Sequence, residues 1–265
     1  MKKLLLFALI AITITAFNAC SKDNNGDNNW TDNSPIIEFE DPYFEEALLD
    51  LNIDKNKDRK ISEKEASVIV SLDISWYDDD QVKIRNIDEI SYFKALKDLN
   101  CCDNQLASLD VNQNIALGYL YCANNQLTSL DVSGATALET LHCYNNQLTS
   151  LDVSKNTALE HLDCSNNQLT SLEVSKKATA LEWLDCSNNQ LTSLDVSKNT
   201  ALEALACNYN QLTSLDVSKC KKLKILYCGE NPNLKSIIIY KYHIMEQYCL
   251  DAITKEYGDI ITYKE

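Results

Sequence analysis

The chain has 265 residues, of which 45% are hydrophobic, so it can bury a core and is not disordered throughout. Its 24 basic and 39 acidic side chains give a formal charge of -15, and no cluster of Lys and Arg interrupts them, which argues against nucleic acid as a partner. The 11 cysteines are an odd and high number, which disulfides, metal sites or a less usual structural role would explain.

The first segment begins with two lysines, continues as an apolar run to Phe17 and ends at Cys20. This pattern predicts a cleaved signal peptide, because the run is too short to span a bilayer comfortably. Its end resembles the lipobox of bacterial lipoproteins, although Phe17 stands where Leu is usual. The resemblance implies that residues 1–19 are removed and that Cys20 is acylated. The alternative is an ordinary secretory leader that is cut elsewhere.

Residues 20–35 are rich in Asn and Asp and contain almost nothing apolar, so they cannot repay the entropy of ordering. We predict a flexible tether between the lipid anchor and the folded domain, with the membrane contacted through the anchor only. Removing residues 1–19 removes two Lys and no acid, so the charge of -15 becomes -17. Ser21, Lys22 and Asp23 resemble the export signal of surface lipoproteins in Bacteroidetes-like bacteria, which implies an outer-membrane lipoprotein that faces outward.

Residues 36–95 are predicted to form an N-terminal cap. Apolar residues first follow a helical spacing and later recur every third residue. The helical set is Phe44, Leu48, Leu49 and Leu51, and the later set is Ile84, Ile87, Ile90, Phe93 and Leu96.

Between these sets, residues 54–65 follow the pattern D-x-N-x-D-x-x-I-S-x-x-E, which resembles the calcium loop of an EF-hand. The predicted ligands are Asp54, Asn56, Asp58, the carbonyl of Lys60, Ser62 and Glu65. Arg59 departs from the pattern, because the sixth position turns sharply and is usually Gly. The neighbouring lysines also weaken the attraction for a dication. We therefore expect one weakly bound, structural Ca²⁺, and the alternative is a metal-free helix-loop-helix cap.

Residues 96–236 repeat at intervals of 21, 21, 21, 22, 21 and 21 residues. The blocks begin at Leu96, Leu117, Leu138, Leu159, Leu181, Leu202 and Leu223. They share the pattern L-x-x-L-x-C-x-x-N-x-L-x-x-L-D-V-S-x-x-x-A, and a repeat of this length predicts a solenoid. Its first half resembles the leucine-rich repeats of internalin-like bacterial surface proteins. The resemblance implies an α/β, β-rich, right-handed leucine-rich repeat solenoid of short parallel strands with helical N- and C-terminal caps. A turn this short predicts a second short or extended strand instead of a long convex helix.

The sixth position of every block is a cysteine. The column comprises Cys101, Cys122, Cys143, Cys164, Cys186, Cys207 and Cys228. A disulfide or metal ladder is one interpretation, and a column of small buried side chains is the other. We favour burial, because like residues on neighbouring strands lie farther apart than the Cβ atoms of a disulfide and no His converges on the slot. Cys102, Cys220 and Cys249 stay unexplained. Asn at the ninth position is expected to satisfy backbone groups and to make the turn that Gly makes elsewhere.

Residues 237–265 are predicted to form the C-terminal cap. Ile237 and Ile239 suggest a strand, Ile244 to Tyr257 an amphipathic helix that ends at Gly258, and Ile260 to Tyr263 a closing strand.

Function is predicted to reside on the concave face, which the third, fifth and seventh repeat positions should line. The predicted ligand-binding residues are Tyr119, Tyr121, His142, Tyr144, His161, Asp163, Trp183, Asp185 and Tyr227. Exposed aromatic side chains near carboxylates suit a protein partner, so we predict a monomeric adhesion or interaction module. A glycan that stacks on the same rings and a purely structural envelope protein are the alternatives.

An enzyme is not predicted, because the three His have no paired nucleophile. We read Asp163 and Asp185 as solvated strand residues and not as an acid/base pair. A second acidic column comprises Asp110, Asp131, Asp152, Glu173, Asp195 and Asp216. Turn hydrogen bonds and Lys pairing are the favoured account of this column, and calcium binding is the alternative.

Overall fold

Each sequence repeat forms one turn of a solenoid, and a strand of about three residues lies at the start of the turn. The computed structural model describes residues 32–75, 83–174, 180–242 and 253–265. Its strands are β1 Ser71–Asp73, β2 Asp98–Asn100, β3 Tyr119–Tyr121, β4 Thr140–His142, β5 Ser150–Asp152, β6 His161–Asp163, β7 Ser171–Glu173, β8 Trp183–Asp185, β9 Ala204–Ala206, β10 Leu215–Asp216, β11 Ile225–Tyr227, β12 Ile237–Tyr240 and β13 Ile261–Lys264.

Within the described residues the main sheet is parallel and has eight strands in the order β1-β2-β3-β4-β6-β8-β9-β11. The register is constant from turn to turn, so Leu120 pairs with Leu99 on one side and Leu141 on the other. Each strand therefore points its central residue into the core and its two flanking residues outward. We call this outward side the main-sheet face; it is the predicted concave face.

The opposite side of the solenoid carries a second, broken set of strands. There β5 pairs with β7, and β10, β12 and β13 form a three-stranded sheet. An isolated bridge joins Asp110 to Asp131 in earlier turns. The predicted second short strand is thus confirmed, and the repeat has the strand-turn-strand form that its length requires.

The core is a dry stack of identical layers. In the fourth turn Leu159, Leu162, Cys164 and Leu169 are fully buried, whereas Leu172 is only partly buried. All seven cysteines of the sixth position are buried in the core, which confirms the packing interpretation. The Cys164 thiol donates to the carbonyl of Asp185 on the next turn at 3.5 Å, so it also makes a weak contact between turns. Burial raises the pKa of six of these thiols, from Cys101 to Cys207.

The asparagine at the ninth position joins consecutive turns. The Asn146 side-chain amide donates to the carbonyls of Cys122, Cys143 and Tyr144 at 3.0, 3.1 and 3.3 Å. Its Oδ1 accepts from the backbone N–H of Leu127 at 2.9 Å. The asparagines of the ninth position repeat these bonds along the solenoid, and we call them the asparagine ladder. The ladder gives hydrogen-bond partners to buried backbone groups that no helix or strand pairs.

The turn itself is made one residue earlier, which corrects the expectation for the ninth position. Residues of the eighth position all have positive φ, between 52° and 60°. They are Asp103, Asn124, Asn145, Asn166, Asn188, Tyr209 and Glu230. Asn tolerates this left-handed conformation better than most side chains. The eighth residue therefore makes the turn, and the ninth residue makes the hydrogen bonds between turns.

The N-terminal cap contains α1 Pro42–Asp50 and α2 Glu63–Ser67. Phe44 and Leu48 are fully buried, and the Phe44 ring lies 6.3 Å from that of Phe93 at the start of the repeats. Asp41 caps α1 by accepting from the N–H of Tyr43, and it also accepts from the N–H of Arg85 at 2.6 Å. The predicted helix is confirmed, but Leu51 follows its last residue and is 46% exposed, so it does not pack as expected.

The second predicted apolar set is buried, and its central residue, Ile90, lies in a 3₁₀ helix, Asp88–Tyr92. At the other end of the solenoid, β12 and β13 confirm the predicted strands, with β13 beginning one residue later than expected. Residues 253–257 are helical, whereas residues 243–252, with the rest of that predicted helix, lie outside the described part. No helix in the described ranges is long and apolar enough to cross a membrane.

Cys220, one of the unexplained cysteines, occupies the slot that Asn156 fills three turns earlier. The Asn156 amide donates to the Val132 carbonyl at 3.0 Å, and the Cys220 thiol donates to the Val196 carbonyl at 3.4 Å. Cys220 is therefore a buried substitute for asparagine in the convex turn. Cys249 and Cys20 lie outside the described residues.

Candidate binding face

The register of the main sheet gathers most of the predicted ligand-binding residues into two parallel columns. The third-position column runs Asp98, Tyr119, Thr140, His161, Trp183, Ala204 and Ile225. The fifth-position column runs Asn100, Tyr121, His142, Asp163, Asp185, Ala206 and Tyr227. Because strands lie about 4.8 Å apart, side chains of neighbouring turns touch within each column.

Four rings form a cluster in the middle of this face, which we call the aromatic cluster. It is centred on His142, whose ring lies 5.1 Å from that of Tyr121 in an edge-to-face arrangement. Tyr144 and Trp183 lie 6.4 and 6.2 Å from His142. The His142 to Trp183 contact crosses β6, the strand between β4 and β8. Rings from three turns are therefore brought together around His142. The sequence predicted that these residues share one face but not that their rings form a cluster.

His142 is uncharged at neutral pH. Burial among these rings and, to a smaller extent, the nearby His161 lower the pKa of its imidazole to about 4. The centre of the aromatic cluster is thus a neutral ring and brings no positive charge to the face.

Tyr119 has a different setting from the cluster. Its ring is 40% exposed, and its hydroxyl donates to Glu139 Oε2 at 2.7 Å. This hydrogen bond to a carboxylate, together with burial, raises the pKa of the phenol to about 12. Glu139, from the second repeat position, was not among the predicted site residues, since that position was not assigned to the face.

Asp163 and Asp185 are direct neighbours in register on β6 and β8. Asp163 Oδ1 accepts from the backbone N–H and the hydroxyl of Ser165, at 3.0 and 2.7 Å. Asp185 makes the same pair of bonds with Ser187, at 2.9 and 2.6 Å. The Asp-x-Ser spacing could have predicted these serine bonds from the sequence. We applied that spacing only to the acidic column on the opposite side.

These two carboxylates are half-buried, which corrects their interpretation as solvated strand residues. Burial and, to a smaller extent, the adjacent charge of Asp185 raise the pKa of Asp163 to about 6. Burial likewise raises the pKa of Asp185, while its bonds from Ser187 act in the opposite direction. A pair of close carboxylates in low dielectric resists double ionisation, so the pair favours a positively charged neighbour.

The remaining predicted residues take different places. His161 is half-buried and lies beside Trp183 in the third column. Tyr227 is separated from the pair by β9, whose outward residues Ala204 and Ala206 are small and buried. Tyr227 is therefore on the predicted face but outside the aromatic cluster.

The loop at residues 54–65 is closed by its own carboxylates. Asp54 accepts from the N–H groups of Lys57 and Arg59, at 2.6 and 2.8 Å. Glu65 accepts from the N–H groups of Lys55 and Ser62, at 2.7 and 2.9 Å. Arg59 adopts a φ of 63°, the conformation expected at its position in spite of its side chain.

Three further predicted ligands complete this loop. Asn56 donates to Asp58 Oδ2 at 2.9 Å, so their side chains converge. The Ser62 hydroxyl caps α2 and lies 2.5 Å from Asp32 Oδ2 and 2.8 Å from Glu65 Oε2. Carboxylate and amide oxygens arranged around one loop fit the ligand chemistry of Ca²⁺. Among described residues, however, no group of three or more His, Cys, Asp or Glu side chains converges tightly enough to hold a metal as it stands.

Known proteins share this architecture. A family model described as leucine-rich repeats (two copies) matches residues 115–156, 136–177 and 157–199. A leucine-rich repeat protein of Leptospira interrogans is similar in structure, with a TM-score of 0.57 and 25% identity over 77% of this chain and 57% of that one. Internalin C2 of Listeria monocytogenes has a TM-score of 0.54 and 21% identity, over 85% of this chain and 94% of that one.

The functional domain of InlJ from Listeria monocytogenes, described as including a cysteine ladder, has 32% identity over 71% of this chain and 47% of its own length, with a TM-score of 0.49. The chain thus spans about half the length of the InlJ and Leptospira structures. No curated protein sequence matches it. The protein has the leucine-rich repeat fold, and residues 115–199 are leucine-rich repeats of the matched family.

Proposed function

We propose that this protein is a bacterial surface lipoprotein whose leucine-rich repeat solenoid binds a protein partner on the main-sheet face. The aromatic cluster is the observation that carries the proposal. Tyr121, His142, Tyr144 and Trp183 are half-buried on the outward side of a rigid sheet. Rings with polar tips, held in place before binding, are typical anchors of protein interfaces because little side-chain entropy is lost on contact.

Affinity capture with the intact protein tests this proposal. We expect proteins that the wild type retains to be lost by a Trp183→Ala, Tyr121→Ala double variant. A Tyr263→Ala variant is the matched control, because that tyrosine is 55% exposed on the C-terminal cap and lies away from the main sheet. Retention by the double variant equal to the wild type would exclude this face as the site.

A glycan ligand is the second candidate, supported by the exposed ring of Tyr119 beside Glu139, which offers a stacking surface next to a hydrogen-bonding group. A glycan array probed with the wild type and with a Tyr119→Ala variant distinguishes it from a protein partner. A purely structural envelope protein would give no ligand in either experiment.

Anchoring by acylation of Cys20 and outward display are part of the proposal, and they rest on the sequence of residues 1–35, most of which lies outside the described part. Mass spectrometry of the mature N-terminus should find an acylated Cys20. Protease treatment of intact cells should remove the protein if it faces outward. A mature chain that begins at another residue would refute the anchor.

We also propose that the loop at residues 54–65 binds one Ca²⁺ weakly as a structural brace, through Asp54, Asn56, Asp58, Glu65, Ser62 and the Lys60 carbonyl. The loop supplies oxygen ligands, and its closing hydrogen bonds hold them near one another. Binding to the folded state alone would raise the melting temperature as calcium is added. We expect that rise at millimolar calcium in the wild type and its loss in Asp54→Ala, with exposed Asp50→Ala as control; an unchanged wild-type melting temperature would exclude the metal.

A further inference from the structure

The main-sheet face carries negative charge with no positive charge among its own columns. None of the third, fifth or seventh positions in the seven turns is Lys or Arg. Asp98, Asp163 and Asp185 occupy three of them, and Asp73 of β1 lies beside this set. Any partner that covers this face must therefore supply the compensating charge.

Asp163 and Asp185 are the two of these groups that pair directly in register. They lie on adjacent strands, about 4.8 Å apart, so each is close to a like charge. One oxygen of each accepts the serine bonds, and neither residue forms an ion pair within the described part of the chain. The fold keeps two half-buried carboxylates side by side at a cost in stability, which is typical of groups that serve a ligand.

The aromatic cluster borders this pair. His142 is the register neighbour of Asp163 on β4, and Trp183 precedes Asp185 on the same strand by two residues. Their rings approach to 6.2 Å across β6, the strand that carries Asp163. A ligand group between the carboxylates therefore lies against an indole and a neutral imidazole.

We infer that the protein partner inserts an arginine side chain here, with its guanidinium between Asp163 and Asp185 and its plane against Trp183. The inference rests on the proposed function, since it names the chemistry of the partner at the same face. A guanidinium has donors on several edges and can bond two carboxylates at once, and its delocalised plane stacks on indole. A lysine ammonium offers a point charge without a stacking plane, and a neutral sugar would leave both carboxylates uncompensated.

The charges around the pair give this site a direction of pH dependence. Asp163 faces His142 from β4, His161 on its own strand and Asp185 from β8, whereas β9 contributes the uncharged Ala206. As the pH falls from about 6 towards about 4, Asp163 loses its charge and His142 gains one. The first change removes an attraction for a cation and the second adds a repulsion. Arginine binding should therefore weaken over this pH interval.

The test uses a blocked peptide with one central arginine and a matched peptide with citrulline, which has nearly the same shape and no charge. Binding is followed by two-dimensional NMR of the intact mature protein, with the Trp183 indole N–H as the reporter. We expect the arginine peptide to bind about tenfold or more tightly than the citrulline peptide, and the preference to disappear in an Asp163→Asn, Asp185→Asn double variant.

The matched control is an Asp131→Asn, Asp152→Asn double variant, which alters exposed aspartates of the same Asp-x-Ser form on the opposite side and should leave binding unchanged. Asn keeps the Oδ1 acceptor for Ser165 and Ser187, so the test variant should fold, and its thermal unfolding checks this.

Equal binding of both peptides, no arginine binding at millimolar peptide, or binding that survives Asp163→Asn, Asp185→Asn would overturn the inference. If captured proteins depend on Trp183 and Tyr121 but not on these aspartates, the inference fails while the proposed function stands; if they depend on none of the four, both fail.

Discussion

Asp152 and Asp163 have the same local structure on opposite sides of the solenoid, and they ionise differently. Each precedes a serine by two residues and accepts a hydrogen bond from its backbone N–H, at 2.7 and 3.0 Å. Hydrogen bonding to Ser154 lowers the pKa of exposed Asp152, whereas burial raises the pKa of Asp163 to about 6. Burial and the neighbouring Asp185 outweigh the hydrogen bonds at Asp163, so the position on the solenoid decides the charge and the motif does not.

This contrast separates carboxylates that maintain the fold from carboxylates that strain it. Asp131 and Asp216 behave like Asp152: each accepts from its serine at 2.9 Å, is exposed and has a lowered pKa. These bonds confirm the part of the favoured account that assigned the convex acidic column to turn hydrogen bonds. Asp216 of that column pairs at 3.0 Å with Lys264, which belongs to β13 of the C-terminal cap and not to the repeat.

The largest expected effect on stability comes from the asparagine ladder, which joins consecutive turns of the solenoid and supports both faces. Asn146→Ala should destabilise the protein by about 3 kcal/mol or more, because it leaves several buried backbone groups of two turns without partners. Urea unfolding measures the loss. The control is Gln147→Ala, which truncates the exposed neighbour and should change stability by only a few tenths of a kcal/mol. Equal losses in the two variants would contradict the role of the ladder.

The next effect has the opposite sign. Asp163→Asn should stabilise the protein by about 1–2 kcal/mol at pH of about 7.5, after allowance for solvent screening of a half-buried group. The folded pKa of Asp163 lies above its unfolded value of 3.8, so wild-type stability falls as the pH rises from about 3.8 to about 6. The gain should therefore shrink as the pH falls below about 6 and vanish below about pH 3, where the carboxyl is protonated in both states. A gain that is independent of pH would show that ionisation is not its cause.

His142 should give a smaller effect with the reverse pH dependence. Its folded pKa of about 4 lies below the unfolded value of 6.5, so wild-type stability is complete above pH 6.5 and falls as the pH drops towards 4. Against a His142→Gln variant, we expect a relative loss of about 1 kcal/mol over this interval. NMR titration of the imidazole measures the pKa directly. A value near 6.5 would refute the burial of this ring within the cluster.

Asp152→Asn should give the smallest change, a loss of a few tenths of a kcal/mol at neutral pH. Its folded pKa is depressed, so its contribution is present above the unfolded pKa and is lost as the pH falls through the folded value. Chemical unfolding at neutral pH compares it with Asp163→Asn. Stabilisation by both variants would remove the contrast between the two faces.

Much of the fold could be predicted from the repeat alone. The period set the number and length of turns, and the alternation of Leu with polar residues set which side chains enter the core. The buried cysteine column followed from its fixed place between two leucines. By contrast, we assigned both the turn and the backbone hydrogen bonds to the ninth position from the sequence. The structure gives the turn to the eighth position, and only φ angles and hydrogen bonds distinguish two adjacent polar residues in this way.

The candidate site depended far more on three dimensions. The sequence by itself determined that Tyr121, His142 and Asp163 share one face, since a repeat places equal positions in one column. Only the tertiary structure decided that Trp183 reaches His142 across β6, that Asp163 and Asp185 are half-buried, and that Tyr227 stands apart from the cluster. The reason is that a column follows from the periodicity of the chain, whereas burial and charge depend on which rings and carboxylates the neighbouring turns place around each residue.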